Sequence, residues 1–126
     1  LKYLDEDNAQ RQTLAAYYYE HINNPLITLP TQIPDENNVY HQFPIFCERR
    51  DELQAYLAEN GVQTLIHYPI PPHHQECYAN VEWNTPQLSL PITEKIHEQE
   101  LSIPMNQVVT MEEAEIVVKV LNAFMQ

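Results

Sequence analysis

The sequence predicts an α+β fold, a small sheet covered on one face by amphipathic helices. Three observations lead there. At 126 residues the chain has room for one domain of ordinary size. With 44% hydrophobic and 10% aromatic residues it can fill a packed core, which a disordered tail cannot. Helical periodicity dominates, and only a few short runs are rich in β-branched and aromatic residues.

The first helix is predicted over Asp5 to Ile22. Leu14, Ala15, Tyr18 and Ile22 recur at steps of three and four, and Asp5, Glu6 and Asp7 suit the positive end of the helix dipole. Asn23-Asn24-Pro25 stops it. Leu26 to Asn38, interrupted by Pro30 and Pro34, reads as an extended connector. Val39 to Phe46 reads as a strand, with Pro44 placing that point at an edge or a bulge. Arg50 to Asn60 is a second helix with Leu53, Tyr56 and Leu57 on one face, and Gly61 is its left-handed stop.

Gln63 to Tyr68 reads as a second strand. Pro69-Ile70-Pro71-Pro72-His73-His74 is too proline-rich for either element and reads as an ordered loop or a flap. Ile92 and Ile96 suggest a third helix from Pro91 to Leu101, with a short strand near Leu101 to Ile103. Thr110-Met111-Glu112-Glu113 fits a capping box, and the helix it opens carries Val117, Val120, Leu121 and Phe124 on one stripe.

Composition excludes several functions. Six Lys and Arg against 18 Asp and Glu give a net charge of -12, which argues against nucleic acid and anionic membrane as partners. No apolar run approaches the ~20 residues of a membrane helix. A single glycine rules out the glycine-rich phosphate loops. Cys47 and Cys77 read as reduced thiols of a cytosolic protein rather than a secreted scaffold. The opening Leu1-Lys2-Tyr3-Leu4, without an initiator Met, reads as the start of a piece cut from something longer.

The densest polar cluster is Ile66-His67-Tyr68-Pro69-Ile70-Pro71-Pro72-His73-His74-Gln75-Glu76-Cys77. Prolines restrict the backbone and hold the side chains in fixed directions, and imidazole and phenol donate or accept hydrogen bonds to a polyhydroxylated substrate. The plainer reading is a solvated surface loop. A third takes His67, His73, His74, Glu76 and Cys77 as zinc ligands in an interaction or regulatory module, though no Cys-x-x-Cys or helical His pair backs it. Arg49 and Arg50, followed by Asp51 and Glu52, suit local charge pairing. Lys2, Lys95 and Lys119 read as solvated groups with no apolar setting for Schiff-base chemistry. Of Tyr17, Tyr18 and Tyr19, one ring should pack and the others line the rim.

Arg50-Asp51-Glu52-Leu53-Gln54, Asn60-Gly61-Val62 and Thr64-Leu65-Ile66-His67-Tyr68-Pro69-Ile70-Pro71-Pro72-His73 together resemble the C-terminal part of sugar-nucleotide aminotransferases of the DegT/StrS type. Leu1-Lys2-Tyr3-Leu4-Asp5, Leu90-Pro91-Ile92-Thr93-Glu94-Lys95-Ile96 and Leu101-Ser102-Ile103-Pro104-Met105 match in the same order, so the resemblance covers nearly the whole chain. The His-Tyr-Pro-Ile-Pro-Pro-His string is its most specific part and looks most like members acting on 3-keto sugars.

The resemblance implies a pyridoxal-phosphate enzyme of the aspartate-aminotransferase fold type. Residues 1–126 correspond to its small C-terminal domain, and the cofactor and the Schiff-base lysine belong to a large N-terminal domain that this sequence lacks. No catalytic residue is expected here, and the isolated chain is expected to be inert. Its parent, a cytoplasmic homodimer, would move an amino group, by implication from glutamate, to a nucleotide-linked keto-deoxysugar in surface-polysaccharide or natural-product sugar biosynthesis. His67, Tyr68 and His73 carry over as sugar-proximal residues, while Gln75 and Tyr78 carry over as structural ones. His74 departs from the family pattern. Some family members lack the lysine and dehydrate instead, and the deciding position lies upstream. A domain cut from such an enzyme should also expose an apolar patch, expected from the surplus of rings at Tyr17 to Tyr19.

Overall fold

The computed structural model describes residues 1–32, 38–85 and 88–125. Part of the predicted connector, 33–37, therefore lies outside the described residues. The elements in chain order are α1 (Leu4–His21), β1 (Phe43–Phe46), α2 (Arg50–Glu59), two 3-10 turns (Pro72–His74 and Glu76–Tyr78), α3 (Pro91–Gln99), β2 (Glu100–Ile103) and α4 (Met111–Ala123). This is the expected α+β architecture, with helices packed on a two-stranded antiparallel sheet.

α1 and α4 pack together on the core side. α1 buries Leu14, Ala15 and Tyr18, and Tyr18 donates from its hydroxyl to the carbonyl of Pro104 at 2.8 Å. Burial, and then the charge of Glu113, push this phenol well above its ordinary pKa. α4 opens on the predicted capping box. Glu113 N–H donates to Thr110 Oγ1 at 3.2 Å and Thr110 N–H donates to Glu113 Oε2 at 2.8 Å, an arrangement worth ~1 kcal/mol. Its other end is closed by buried Asn24, whose amide donates to the carbonyls of Leu121 and Phe124 at 2.8 and 2.7 Å. Those two bonds tie the turn after α1 to the end of α4, where the Leu121 carbonyl also accepts the Phe124 N–H at 3.2 Å.

β1 and β2 pair in the register Phe43 with Ile103, Pro44 with Ser102, Ile45 with Leu101 and Phe46 with Glu100. Phe43, Ile45, Leu101 and Ile103 thus share the core face, and all four are buried. Phe46 exchanges both backbone bonds with Thr28 on the outer side, at 2.8 and 2.9 Å. Pro44 has the same parity, so its missing N–H falls on that outer edge and costs the ladder nothing.

The strands are shorter than predicted. Val39 to Gln42 is not extended, because Asn38 accepts the Tyr40 N–H on its side chain at 2.9 Å and Tyr40 sits at φ 48. The run Gln63 to Tyr68 reduces to an isolated bridge between Leu65 and Ser102. Beyond it the His67 N–H goes to the carboxylate of Glu100 instead of to a strand. α3 stops at Gln99 because Glu100 and Leu101 are taken up by β1. Gly61, at φ 79, ends α2 as predicted.

Large apolar side chains are exposed at several places, α3 among them, but Tyr17 to Tyr19 are not among the most exposed. Tyr18 is fully buried, and Tyr19 packs its ring edge-on to Phe43 at 5.0 Å. α3 instead buries none of its residues, and Ile92 and Ile96 are 78% and 46% exposed. They border one groove with Phe46 and Pro91.

Candidate functional site

β2 is polar on one face and still buried on it. Its alternation sends Leu101 and Ile103 into the core and turns Glu100 and Ser102 to the opposite side, where they are only 5% and 6% exposed. The cover is the segment that carries the densest histidine motif. Leu65 exchanges two backbone bonds with Ser102, at 3.1 and 2.8 Å, and so lays this segment along β2. His67 N–H then donates to Glu100 Oε2 at 2.7 Å. Ser102 Oγ donates to Glu100 Oε1 at 2.6 Å, and His67 Nδ1 lies 2.9 Å from Ser102 Oγ. Both carboxylate oxygens are satisfied, which a buried carboxyl requires. The imidazole is half-buried and borders a cleft of about 840 Å³ with Ser102, Leu65, Gln54, His41 and Met105.

Tyr68 follows with its side chain 65% exposed, its ring edge-on to His67 at a centroid distance of 5.5 Å. The Tyr68 carbonyl accepts a hydrogen bond from His97 Nδ1 on α3. The peptide between His67 and Tyr68 is cis.

His73 is placed differently from the other two expected sugar-proximal residues. It is 5% exposed, and its Nε2 lies 2.9 Å from Glu94 Oε1 on α3. An ionised carboxylate can only accept, so Nε2 carries the proton, and Nδ1 is buried without a partner among the described residues. Glu94 also accepts the Leu90 N–H at 2.9 Å. That bond first, and His73 second, hold its carboxyl below the usual range. Asn84 closes the loop by donating to the carbonyls of His73 and Tyr78, both at 2.8 Å. Gln75 donates to the Ile70 carbonyl at 3.4 Å, and Tyr78 leans on Trp83 at 5.5 Å.

The five residues considered as zinc ligands do not converge among the described residues. Only His73 and His74 come together, and their third neighbour is Glu94, with candidate donor atoms within 4.8 Å of one another. The hydrogen bond between His73 and Glu94 already occupies that pair. Arg49 bonds Glu52 at 2.6 Å and holds its carboxyl low; Arg50 pairs with Asp51, and both arginines also donate to distant carbonyls, Arg49 to Met125 and Arg50 to His97 and Glu100. Lys2, Lys95 and Lys119 are all exposed. None fits the desolvated setting of a Schiff-base lysine, and the arginine pair is engaged with acids, so these residues do not form a site for pyridoxal phosphate.

Glu100 and Ser102 were missed as site residues. Their only signal was two polar residues at strand spacing in Glu-Leu-Ser-Ile, which ordinarily marks a solvated face.

Residues 1–122 match the sequence profile of the DegT/DnrJ/EryC1/StrS aminotransferase family. The dTDP-3-amino-3,6-dideoxy-alpha-D-galactopyranose transaminase of Aneurinibacillus thermoaerophilus is 49% identical over 98% of this chain and 33% of its own length. The dTDP-3-amino-3,4,6-trideoxy-alpha-D-glucose transaminase of Streptomyces venezuelae is 42% identical over 83% of the chain and 27% of its own length. The crystal structure of S. venezuelae DesV in complex with a ketimine intermediate superposes with a TM-score of 0.88 at 37% identity, covering 97% of this chain and 33% of that one. The chain thus spans about a third of the length of the relatives it matches.

Proposed function

The chain belongs to the DegT/DnrJ/EryC1/StrS aminotransferase family, and from that premise we propose that it is the sugar-contacting small domain of a pyridoxal-phosphate-dependent aminotransferase. The parent enzyme moves an amino group from glutamate to the keto carbon of a nucleotide-linked 3-keto-deoxysugar. One observation carries this reading: a cleft bordered by a histidine held at one nitrogen, on a chain whose lysines are all exposed. Such a surface can bind and orient a hydroxylated ligand but cannot carry the amino group. A domain of net charge -12 would also repel a nucleotide diphosphate. Both the cofactor and the cations for the diphosphate would therefore come from the rest of a cytoplasmic, homodimeric parent, which packs over α3 and its exposed isoleucines.

Within this reading His67 and Tyr68 contact the sugar, and His73 holds the loop on which they sit. The cofactor, when bound to the parent, supplies the amino-group chemistry. His67 positions the substrate and keeps water from its place in the cleft. Losing one such hydrogen bond costs ~1–2 kcal/mol, or roughly five- to thirtyfold in kcat/KM. His67→Ala in the full-length enzyme should therefore slow amination of the keto sugar by that factor and leave the half-reaction with glutamate near normal. Equal damage to both half-reactions would refute the assignment. The 126-residue chain alone, incubated with pyridoxal phosphate and dialysed, should retain no absorbance from a lysine adduct. A stoichiometric adduct at Lys2, Lys95 or Lys119 would overturn the division of labour.

A further inference from the structure

We infer that Glu100 and Ser102 are positioning residues that fix which His67 nitrogen carries the proton, and thereby which sugar atom it recognises. The inference rests on the proposed sugar contact of His67 for its consequence, but not for its chemistry. The direction of each hydrogen bond follows from what the groups can do. The carboxylate of Glu100 accepts only. Its Oε2 takes the His67 backbone N–H at 2.7 Å, and its Oε1 lies 2.6 Å from Ser102 Oγ, so the serine must donate there. Having spent its one proton, Ser102 Oγ can only accept from His67 Nδ1, 2.9 Å away. A neutral imidazole with its proton on Nδ1 has a lone pair on Nε2. Among the described residues Nε2 has no hydrogen-bond partner.

The consequence is a selection rule. An accepting Nε2 pairs with a hydroxyl or amine hydrogen and repels a ketone oxygen, which has only lone pairs to offer. His67 therefore reads a hydroxyl of the sugar, and the keto oxygen is left to other groups of the parent enzyme. Glu100 acts at a distance from the ligand: it is 5% exposed and reaches the ring only through Ser102.

One substitution should reverse the chain. In Glu100→Gln the His67 backbone N–H still demands an acceptor, so the amide oxygen takes the Oε2 position. The amide NH₂ then faces Ser102 and donates to it. Ser102 is freed to donate to His67 Nδ1, which moves the ring proton to Nε2. Long-range ¹H–¹⁵N spectra of the histidine-labelled chain at about pH 8, where an ordinary imidazole is neutral, read the tautomer directly. Wild type should show the Nδ1–H form and Glu100→Gln the Nε2–H form. Ser102→Ala should give a mixture, and Ser102→Thr should restore the wild-type pattern. An Nε2–H ring in wild type overturns the inference without any variant having to fold, and so does an unchanged ring in a folded Glu100→Gln.

The second arm uses the full-length enzyme and nucleotide-linked keto sugars in which one hydroxyl at a time is replaced by fluorine, which cannot donate. At the position His67 reads, wild type should prefer hydroxyl over fluorine by roughly tenfold in kcat/KM, and Glu100→Gln, whose Nε2–H can still donate to the hydroxyl oxygen, should shrink that preference rather than abolish it. No preference at any position overturns the selection rule. If His67→Ala leaves sugar kinetics unchanged, the sugar contact itself falls, while the tautomer spectra still decide whether Glu100 and Ser102 set the proton.

Discussion

The two ends of the histidine loop use the same parts to opposite effect. At His67 a carboxylate acts through a serine, the proton sits on Nδ1, and the unpaired nitrogen belongs to a half-buried ring at the edge of a cleft. At His73 a carboxylate acts directly on Nε2, and the unpaired nitrogen is Nδ1, buried in a ring that is 2% exposed. The difference teaches that a histidine's role is set by where its unpaired nitrogen lies, and not by its place in a motif. His67 has a nitrogen to offer a ligand, whereas His73 has spent its contacts on holding the loop against α3.

That contrast breaks most sharply under truncation. His73→Ala should destabilise the chain by about 2–3 kcal/mol, combining a cavity with a lost charge-assisted bond to Glu94. His67→Ala should cost under about 1 kcal/mol. The Glu100 carboxylate keeps both its partners in that variant, because they are a backbone N–H and Ser102. Urea denaturation of both variants measures the difference. Equal losses would mean that the two ends are structurally equivalent and that the division drawn above is wrong.

A second contrast, between α3 and α4, sharpens the domain assignment. Both helices were legible from apolar spacing, and both are present. Yet α4 buries Ala114, Val117, Val118 and Leu121 while α3 buries nothing. If the remainder of the parent enzyme covers α3, Ile96→Glu should be near neutral in this chain, within about 0.5 kcal/mol, and cost about 1–3 kcal/mol in the full-length enzyme. Thermal melts of the two forms decide it. A neutral result in both would leave α3 facing solvent and would remove the interface from that side.

The helices, the capping box and the glycine stop could be read from the sequence because each depends on residues within a few positions of one another. The strand ends could not, since they depend on distant partners: a side chain at Asn38 bends Val39 to Gln42 away, and Glu100 claims the His67 N–H. The candidate site was half legible for the same reason. His67, Tyr68 and His73 stand in one string, and proline rigidity drew attention to it. Glu100 and Ser102 lie more than thirty residues on, at 33 and 35 positions from His67, and their alternation reads as a solvated face until a covering segment is known.

The smallest effect concerns acid, and it tests which contact governs Glu94. Its carboxyl is held below the ordinary range chiefly by the Leu90 N–H and then by His73. A carboxyl whose pKa is lower folded than unfolded adds stability above its unfolded value and loses it as pH falls through the folded one. The start of α3 should therefore keep its cap through the ordinary carboxylate range, near pH 4.3, and fray only below about that value. Following the Leu90 amide shift by NMR from about pH 6 downward should give a midpoint under the ordinary value. A midpoint at or above it would mean the cap contributes nothing. In His73→Ala the midpoint should rise only part of the way, because the main cause is the backbone N–H, which that substitution leaves in place. A full return to the ordinary value would instead make His73 the controlling partner.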